Sequence, residues 1–326
     1  MDHNQLQKPI QQRRDTRQGN KRSRSTLVGV GVGLMASFSW ALYNVGIEIG
    51  RQDGFSPADL AILRYIVPAI ALPPIMYWTR STTLQNLTIA RAIVLSLLVG
   101  PVFALLTNTG YRIAPLAHAV VISPGMTMIT ANVLSRVFDG RPIPLQRIVG
   151  MTILLGGLVI ISADQTPSKD SVSAVWIGDL LFFTSGCLWG TFTYLMGRWD
   201  LSPLPTTAAV SAISLIAFLP IYLIYFSIPD VSAPLALEQI FYQGVLGGCV
   251  ALLAYTFAII FIGAGQAAIF PAIVPPIAVL IAIPFTLEWP NGWQWMGVVL
   301  ATGGLVISLD SIRVRAVRHT TTSNPS

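Results

Sequence analysis

Polar and aromatic residues recur at helical spacing inside two otherwise apolar segments of the chain. The first segment carries Gly33, Ser37, Trp40, Asn44 and Glu48, and the second carries Gly186, Trp189, Thr193 and Gly197. Steps of three or four residues place each set on one helix face. Indole rings such as Trp40 and Trp189 could wall a cavity while Asn44 and Thr193 hydrogen-bond a small solute. The same faces could instead pack helices together through interhelical hydrogen bonds.

Further polar residues inside apolar segments extend this candidate set. A buried amide or hydroxyl group in a lipid environment needs a hydrogen-bonding partner. The partner could be a solute or a neighbouring helix, and the sequence leaves both open. The predicted substrate-binding residues are Trp40, Asn44, Asn108, Ser123, Trp189, Thr193, Gln243 and Tyr255.

Arg64 is the charged residue that is most costly to place, because it lies inside the apolar segment 57–78. An arginine near the centre of a membrane-spanning helix costs about 2.5–3.5 kcal/mol on insertion, so the side chain must face protein or water. It could bind a substrate carboxylate. It could also pair with Glu48, with Asp179 or with carbonyl groups at a helix end.

Proton coupling has two candidate residues, His118 and Glu48. His118 could relay protons or could be a hydrogen-bonded structural residue. No predicted span carries an acidic residue near its middle, whereas Glu48 lies near an end. We expect coupling to be weak, or to run through one of these two residues.

Pro124 and Pro275 occupy equivalent places in the two halves of the chain and are predicted to act as hinges beside the site. Proline interrupts helical backbone bonding, and freed carbonyl groups are tolerated at membrane depth only against protein or a wet cavity. Static kinks without gating are the alternative.

Metal, redox and hydrolytic chemistry are not indicated. The chain has only 2 cysteines and 3 histidines, and these do not have the spacing of a disulfide framework or a zinc site. Sequence motifs for metalloprotease, serine hydrolase or phosphate-loop chemistry are missing. We expect no cofactor, no metal and no enzymatic activity.

The composition requires lipid as the main solvent. Hydrophobic residues make up 53% of the chain and charged residues 10%, whereas soluble domains carry about 25% charged residues. A membrane-spanning helix needs about 20 apolar residues. The candidate spans are 27–49, 57–78, 90–110, 113–135, 145–163, 175–197, 206–227, 239–262, 266–287 and 292–309.

The distribution of basic residues predicts the topology. Alternate loops place most of the 20 lysines and arginines on the side of the N-terminus, which is the cytoplasmic side by the positive-inside rule. The predicted exceptions on the outside are Arg51, Arg112 and Lys169. Residues 1–26 are predicted to be a disordered basic cytoplasmic tail and residues 311–326 a second cytoplasmic tail. The basic residues near the N-terminus are interpreted as a topology signal, not as a nucleic-acid site.

The two halves of the chain resemble each other. Gly150 with the segment 156–160 recurs as Gly297 with the segment 303–307, at a constant offset of 147 residues. The leading helices align through Trp40 and Trp189. An odd number of spans, five in each of 27–163 and 175–310, would insert the second copy upside down. Inverted repeats with a site near the bilayer midplane are typical of transporters, so the predicted fold is an all-α membrane protein with ten transmembrane helices in two five-helix repeats.

This arrangement resembles the drug/metabolite transporter superfamily in its EamA-type branch. The resemblance rests on the ten spans, Trp40, Trp189, Arg64, Ser123-Pro124, Val274-Pro275 and the closing segments 145–150 and 293–297. It implies a multi-pass inner-membrane exporter of amino acids or related small metabolites, acting by alternating access as a monomer or weak homodimer. A channel or a membrane sensor without active transport is the alternative function.

Overall fold

The computed structural model describes residues 3–80, 86–114, 116–163, 172–274, 276–277, 281 and 291–321, and all its regular elements in these ranges are helical. The α-helices are α1 (His3–Gln52), α2 (Pro57–Trp78), α3 (Ile89–Val99), α4 (Pro101–Ile113), α5 (Leu116–Asp139), α6 (Leu145–Ala163), α7 (Val172–Arg198), α8 (Pro203–Tyr225), α9 (Ala233–Gln239), α10 (Leu252–Ile262), α11 (Ala264–Ala267) and α12 (Gly292–Thr321). A π-helical segment, Ile240–Ala251, joins α9 to α10, and the 3₁₀ turn Phe270–Ile273 follows α11.

The first helix is longer than its apolar segment. The backbone is helical from His3, and the cytoplasmic tail at residues 1–26 stays a prediction. Lysine, arginine and glutamine favour helix formation, and extending an existing helix avoids the cost of nucleation. The last helix likewise continues past the apolar segment, to Thr321.

Six helical stretches are long and apolar enough to cross a membrane within the described residues. They are Ser25–Gln52, Pro57–Trp78, Ile89–Ile113, Val175–Arg198, Pro203–Tyr225 and Ala233–Ile262. Shorter apolar helices cover Leu145–Ile160, Ala264–Ile273 and Trp295–Ser308. The predicted span 266–287 extends beyond the described residues, so the number ten stays a prediction.

Two predicted spans are not single α-helices. The span at 90–110 breaks at Gly100, whose extended backbone precedes Pro101 at the first position of α4; proline lacks the N–H group that would continue α3. The span at 239–262 contains the π-helical segment, which has a wider backbone hydrogen-bonding pattern than an α-helix.

Arg64 is positioned by close backbone contacts between α2 and the π-helical segment. A Cβ atom at Gly248 would lie 2.0 Å from the carbonyl oxygen of Arg64, and one at Gly247 would lie 2.3 Å from the Tyr43 ring. Only glycine permits this approach of the helices.

The beginning of α2 is also fixed. The Ser56 hydroxyl accepts from the backbone N–H of Asp59 at 3.2 Å, and the Asp59 carboxylate accepts from the backbone N–H of Ser56 at 2.6 Å, which is a capping box. The buried Asp59 also accepts a hydrogen bond from the Tyr222 hydroxyl of α8. These contacts join α2 to α8.

The packing of the helices is related by exchange of the two halves of the chain. Helix α1 packs against the π-helical segment and α10, and its counterpart α7 packs against α3 and α4. Helix α2 packs against α8, and α6 packs against α12. Exchange of the halves converts the α1 pairings into the α7 pairings and leaves the other two pairings unchanged, which is the pattern expected of a pseudo-twofold arrangement.

Candidate functional site

A cavity lies between the two halves of the chain, with about 110 Å³ of space for the centres of water-sized molecules. Helices α1, α2, α4, α5 and α7 and the 3₁₀ turn contribute side chains to it. The lining residues are Trp40, Tyr43, Asn44, Arg64, Phe103, Thr107, Tyr111, Ser123, Pro124, Thr127, Trp189, Pro271 and Val274.

Arg64 supplies the positive charge of this cavity and is only 3% exposed. Its Nη1 atom donates to the Tyr43 hydroxyl at 3.0 Å. The guanidinium carbon lies 5.1 Å from the ring centroid of Tyr43, 5.6 Å from that of Phe103 and 5.7 Å from that of Trp189, which are cation–π distances.

Neutral groups hold this cation in place. Among the described residues, the contacts of Arg64 are with neutral groups, and a pair with Glu48 or Asp179 stays a prediction. A guanidinium has five N–H donors, and the hydrogen bond to Tyr43 uses one of them. The site is therefore suited to an anionic ligand group.

Aromatic rings form the apolar wall of the cavity. The rings of Trp40 and Trp189 meet edge to face at 5.4 Å, and Phe103 lies 4.9 Å from Trp189. Tyr255 supports both indoles from behind, at 5.1 Å from Trp40 and 5.8 Å from Trp189. Such aromatic pairs are stabilised by about 0.5–1.5 kcal/mol beyond their burial.

Thr193 and Tyr255 form a second layer behind this wall. Their hydroxyl oxygens are 2.7 Å apart, and the Thr193 hydroxyl also donates to the Trp189 carbonyl oxygen at 2.8 Å. Both residues are fully buried and outside the cavity lining. These two predicted solute contacts therefore lie behind Trp189, outside the cavity lining.

Asn44, Ser123 and Pro124 line the cavity together with the two predicted tryptophans. The Asn44 amide has no hydrogen bond within the part of the chain that is described. The Ser123 hydroxyl lies 3.4 Å from that of Ser185. Asn44 thus lines the same cavity as Arg64.

Two predicted contacts lie elsewhere. Asn108 borders a second cavity and donates to the Pro57 carbonyl oxygen at 3.2 Å. Gln243 is fully buried in the π-helical segment, where its amide donates to the side chain of Gln239 at 3.2 Å.

The side chains of Glu48 and His118 and all of Pro275 lie outside the described residues. Coupling through Glu48 or His118 and a hinge at Pro275 remain predictions. Within the described residues, no group of three histidine, cysteine or acidic side chains is arranged to hold a metal ion.

Four lining residues on α1 and α4 were missing from the predicted site. Phe103, Thr107 and Tyr111 recur every four residues along α4, and Tyr43 follows Trp40 by three. Both patterns indicate shared helix faces. The helical spacing of these four residues was therefore visible in the sequence, but their side-chain types pointed less clearly to a binding site.

Polar contacts join the two halves at the end of the molecule where α5 and α7 terminate. The Asp139 carboxylate pairs with the Arg198 guanidinium and accepts from the Tyr194 hydroxyl at 3.2 Å. Nearby, the Asn132 amide donates at 3.2 Å to the backbone carbonyl of Gly265, which belongs to the second half. We call the Asp139–Arg198 pair with Tyr194 the latch.

Comparison with known proteins places both halves in one family. The EamA-like transporter family matches residues 27–163 and again residues 176–309. The uncharacterized transporter YyaM of Bacillus subtilis (strain 168) is 23% identical over 305 residues, which cover 88% of this chain and 93% of that protein. The uncharacterized transporter YdfC of the same organism is 23% identical over 267 residues, covering 82% of this chain and 86% of that protein.

A solved crystal structure shares the fold. Its TM-score is 0.69 at 13% identity, and the match covers 92% of this chain and 99% of that chain. At this identity the likeness concerns the fold alone.

Proposed function

The chain belongs to the EamA-like transporter family, and we propose that it exports amino acids or related small metabolites by alternating access through the Arg64 cavity. The observation that carries this proposal is the buried Arg64, held by neutral partners beneath three aromatic rings. Transport, as opposed to catalysis, is also indicated by the relatives named as transporters.

The chemistry of the cavity favours an amphiphilic anion or zwitterion. A guanidinium binds a carboxylate through two parallel hydrogen bonds, and removal from water strengthens that attraction. The Trp40, Phe103 and Trp189 rings offer an apolar surface to the rest of the solute, and Asn44 offers an amide. Amino acids combine a carboxylate with side chains that fit such a wall.

The pseudo-twofold relation between the helix pairings of the two halves supports alternating access. In the proposed topology, ten spans form two inverted repeats in the inner membrane, with both termini in the cytoplasm. The latch closes the cytoplasmic end, and the cavity is reached from the end at which α1 and α4 terminate. Rocking of one half against the other would open the latch and expose Arg64 to the opposite side.

The decisive variant is Arg64→Gln in the full chain reconstituted into liposomes. Vesicles are loaded with all proteinogenic amino acids, and mass spectrometry measures the efflux of each. A hydrogen bond to a charged group contributes about 1.5–3 kcal/mol, so the efflux of transported amino acids should fall about 10- to 100-fold in the variant. Efflux should fall less in Arg64→Lys, because lysine keeps the positive charge but lacks the planar guanidinium group that pairs with both oxygens of a carboxylate.

Arg136→Gln is the matched control, since Arg136 is an exposed arginine in the last turn of α5 and does not line the cavity. Its efflux should equal that of the unchanged chain. Equal efflux from Arg64→Gln, or no efflux of any amino acid from the unchanged chain, would contradict the proposal. Ungated ionic conductance in the same membranes would favour the channel function.

A further inference from the structure

The Arg64 guanidinium occupies an aromatic cage that is built by three other helices. Its carbon atom lies 5.1 Å from the ring centroid of Tyr43 on α1, 5.6 Å from that of Phe103 on α4 and 5.7 Å from that of Trp189 on α7. Proteins bind quaternary ammonium ligands with this arrangement of rings around one cation. Here the cation belongs to the chain itself. We call Tyr43, Phe103 and Trp189 the cage.

The cage rings are held by packing contacts of their own. The Trp189 ring lies 4.9 Å from that of Phe103 and 5.4 Å from that of Trp40. On α1, the Tyr43 ring is so close to the π-helical segment that a Cβ atom at Gly247 would lie 2.3 Å from it. The cage should therefore keep its shape when the guanidinium is removed.

The rest of the cavity offers little attraction to a cationic solute. The described lining residues include no aspartate or glutamate. A second positive charge would have to enter beside the guanidinium of Arg64, where like charges repel strongly because the site is removed from water. The rings that could bind such a charge are already occupied. A carboxylate, in contrast, meets an attractive charge and leaves the cage in place.

We propose that Arg64 determines the charge selectivity of the site. As the resident cation of the cage, it admits anionic and zwitterionic solutes and excludes organic cations that lack a carboxylate. This inference rests on the proposed function, because it takes the cavity as the substrate site. It goes further by assigning to the cage an affinity for quaternary ammonium groups that the guanidinium blocks. Amines and quaternary ammonium compounds are therefore refused, whereas amino acids with similar apolar parts are accepted.

The test is equilibrium binding of radiolabelled tetramethylammonium to the purified full chain. Arg64→Ala removes the guanidinium and opens the cage, so the Kd for tetramethylammonium should fall about tenfold relative to the unchanged chain. Arg64→Lys keeps a positive charge on α2 and should bind as weakly as the unchanged chain. Excess tert-butanol, a neutral molecule of similar size, should not displace the label from Arg64→Ala.

Two variants separate the cage from a general effect of losing an arginine. Arg91 also lies over a ring, 5.1 Å from the centroid of Trp199, but outside the cavity lining. Arg91→Ala should therefore leave the Kd unchanged. In the double variant Arg64→Ala, Phe103→Leu, the gain in affinity should be lost, because leucine keeps the apolar character of the side chain and lacks the ring face.

The melting temperature and the elution volume of each variant show whether it is folded. Arg64→Gln is the second uncharged variant, and its Kd should fall in the same direction if Arg64→Ala does not yield folded protein. A polar amide occupies part of the cage in this variant, so the gain should be smaller than in Arg64→Ala.

Four results would overturn the charge selection by Arg64. They are binding of tetramethylammonium by the unchanged chain as tightly as by Arg64→Ala, no gain in either folded uncharged variant, an equal gain in Arg64→Lys, and a gain that survives Phe103→Leu. The efflux of amino acids tests the proposed function separately. Absence of efflux together with the expected gain would contradict the proposed function and leave the exclusion of cations by Arg64 standing.

Discussion

At the scale of single residues, the Arg64–Tyr43 contact determines how the charge of the cavity is held. A buried guanidinium is costly to separate from water, and here a hydroxyl and three rings are its described partners. The described partners are neutral and do not compensate the charge, whereas a carboxylate from the protein would compete with an anionic substrate. The partial stabilisation of Arg64 is thus consistent with binding a carboxylate.

Tyr43→Phe tests this positioning role. Loss of the hydroxyl leaves a buried N–H group of Arg64 without its acceptor, which costs about 1–3 kcal/mol. We expect the KM of transported amino acids to rise about three- to tenfold and that of their amides to stay unchanged, in uptake assays of reconstituted protein.

Tyr65→Phe is the matched control for that variant. The Tyr65 hydroxyl donates to the Val99 carbonyl oxygen at 3.1 Å, and Tyr65 does not line the cavity. This variant should lower thermal stability without changing KM. An equal rise of KM in both variants would show that Tyr43 acts only through the fold.

Residue types predicted part of the site. The spacing and polarity of Trp40, Asn44 and Trp189 indicated a shared face, and all three line the cavity. Thr193 has the same spacing, but its hydroxyl bonds to Tyr255 in the second layer. Periodicity identifies the face of a helix; depth within the bundle depends on which partner helix covers that face, and a single sequence does not contain that information.

At the scale of secondary-structure elements, the repeated glycines of α6 and α12 have a reciprocal role. A Cβ atom at Gly150 would lie 2.7 Å from the carbonyl oxygen of Gly304, and one at Gly157 would lie 2.7 Å from that of Gly297. Gly150 corresponds to Gly297, and Gly157 to Gly304, at the offset of 147 residues. Each contact is therefore the pseudo-symmetric copy of the other, and the backbones of the two helices touch directly.

Alanine substitutions at these glycines should separate the two helices. Overpacking a tight contact typically costs about 1–3 kcal/mol, so Gly150→Ala and Gly157→Ala should both lower the melting temperature of the purified protein. Gly156→Ala and Gly303→Ala are the controls, because a Cβ atom at either position meets no atom within 4 Å. Equal melting temperatures in all four variants would contradict the reciprocal packing.

Element boundaries were predictable where local chemistry marks them. The predicted spans 57–78 and 145–163 coincide with α2 and α6, since Ser56-Pro57 and Pro144 precede helical runs. The π-helical segment was not predicted, because its sequence is mostly apolar and glycine-rich, with no local signal for a change of helix type. The wide hydrogen-bonding pattern of its backbone accompanies close packing against α1 and α2. That packing depends on tertiary contacts, which the local sequence does not reveal.

At the scale of the whole molecule, the latch and the Asn132 contact join the two halves at one end. A shift of population between two states, with this end joined or open, needs only a few kcal/mol. Asp139→Asn removes the charge that pairs with Arg198 while retaining the size of the side chain. This variant should favour the state that is open at the latch end.

The change is measurable by labelling a cysteine inside the cavity. Thr107 lines the cavity, and the native Cys187 and Cys249 are replaced by alanine in the parent chain. In Thr107→Cys, addition of Asp139→Asn should increase the rate of modification by a membrane-impermeant thiol reagent from the latch end severalfold. Arg141→Gln is the control, because its 3.9 Å contact with Asp139 is solvent-exposed and contributes at most about 1 kcal/mol.

The most direct test of alternating access uses the same Thr107→Cys protein without the latch variant. The impermeant reagent is applied separately to right-side-out and inside-out vesicles, with and without a transported amino acid. The account predicts modification from both sides and protection by the amino acid in both preparations. Modification from one side only, under all conditions, would contradict it.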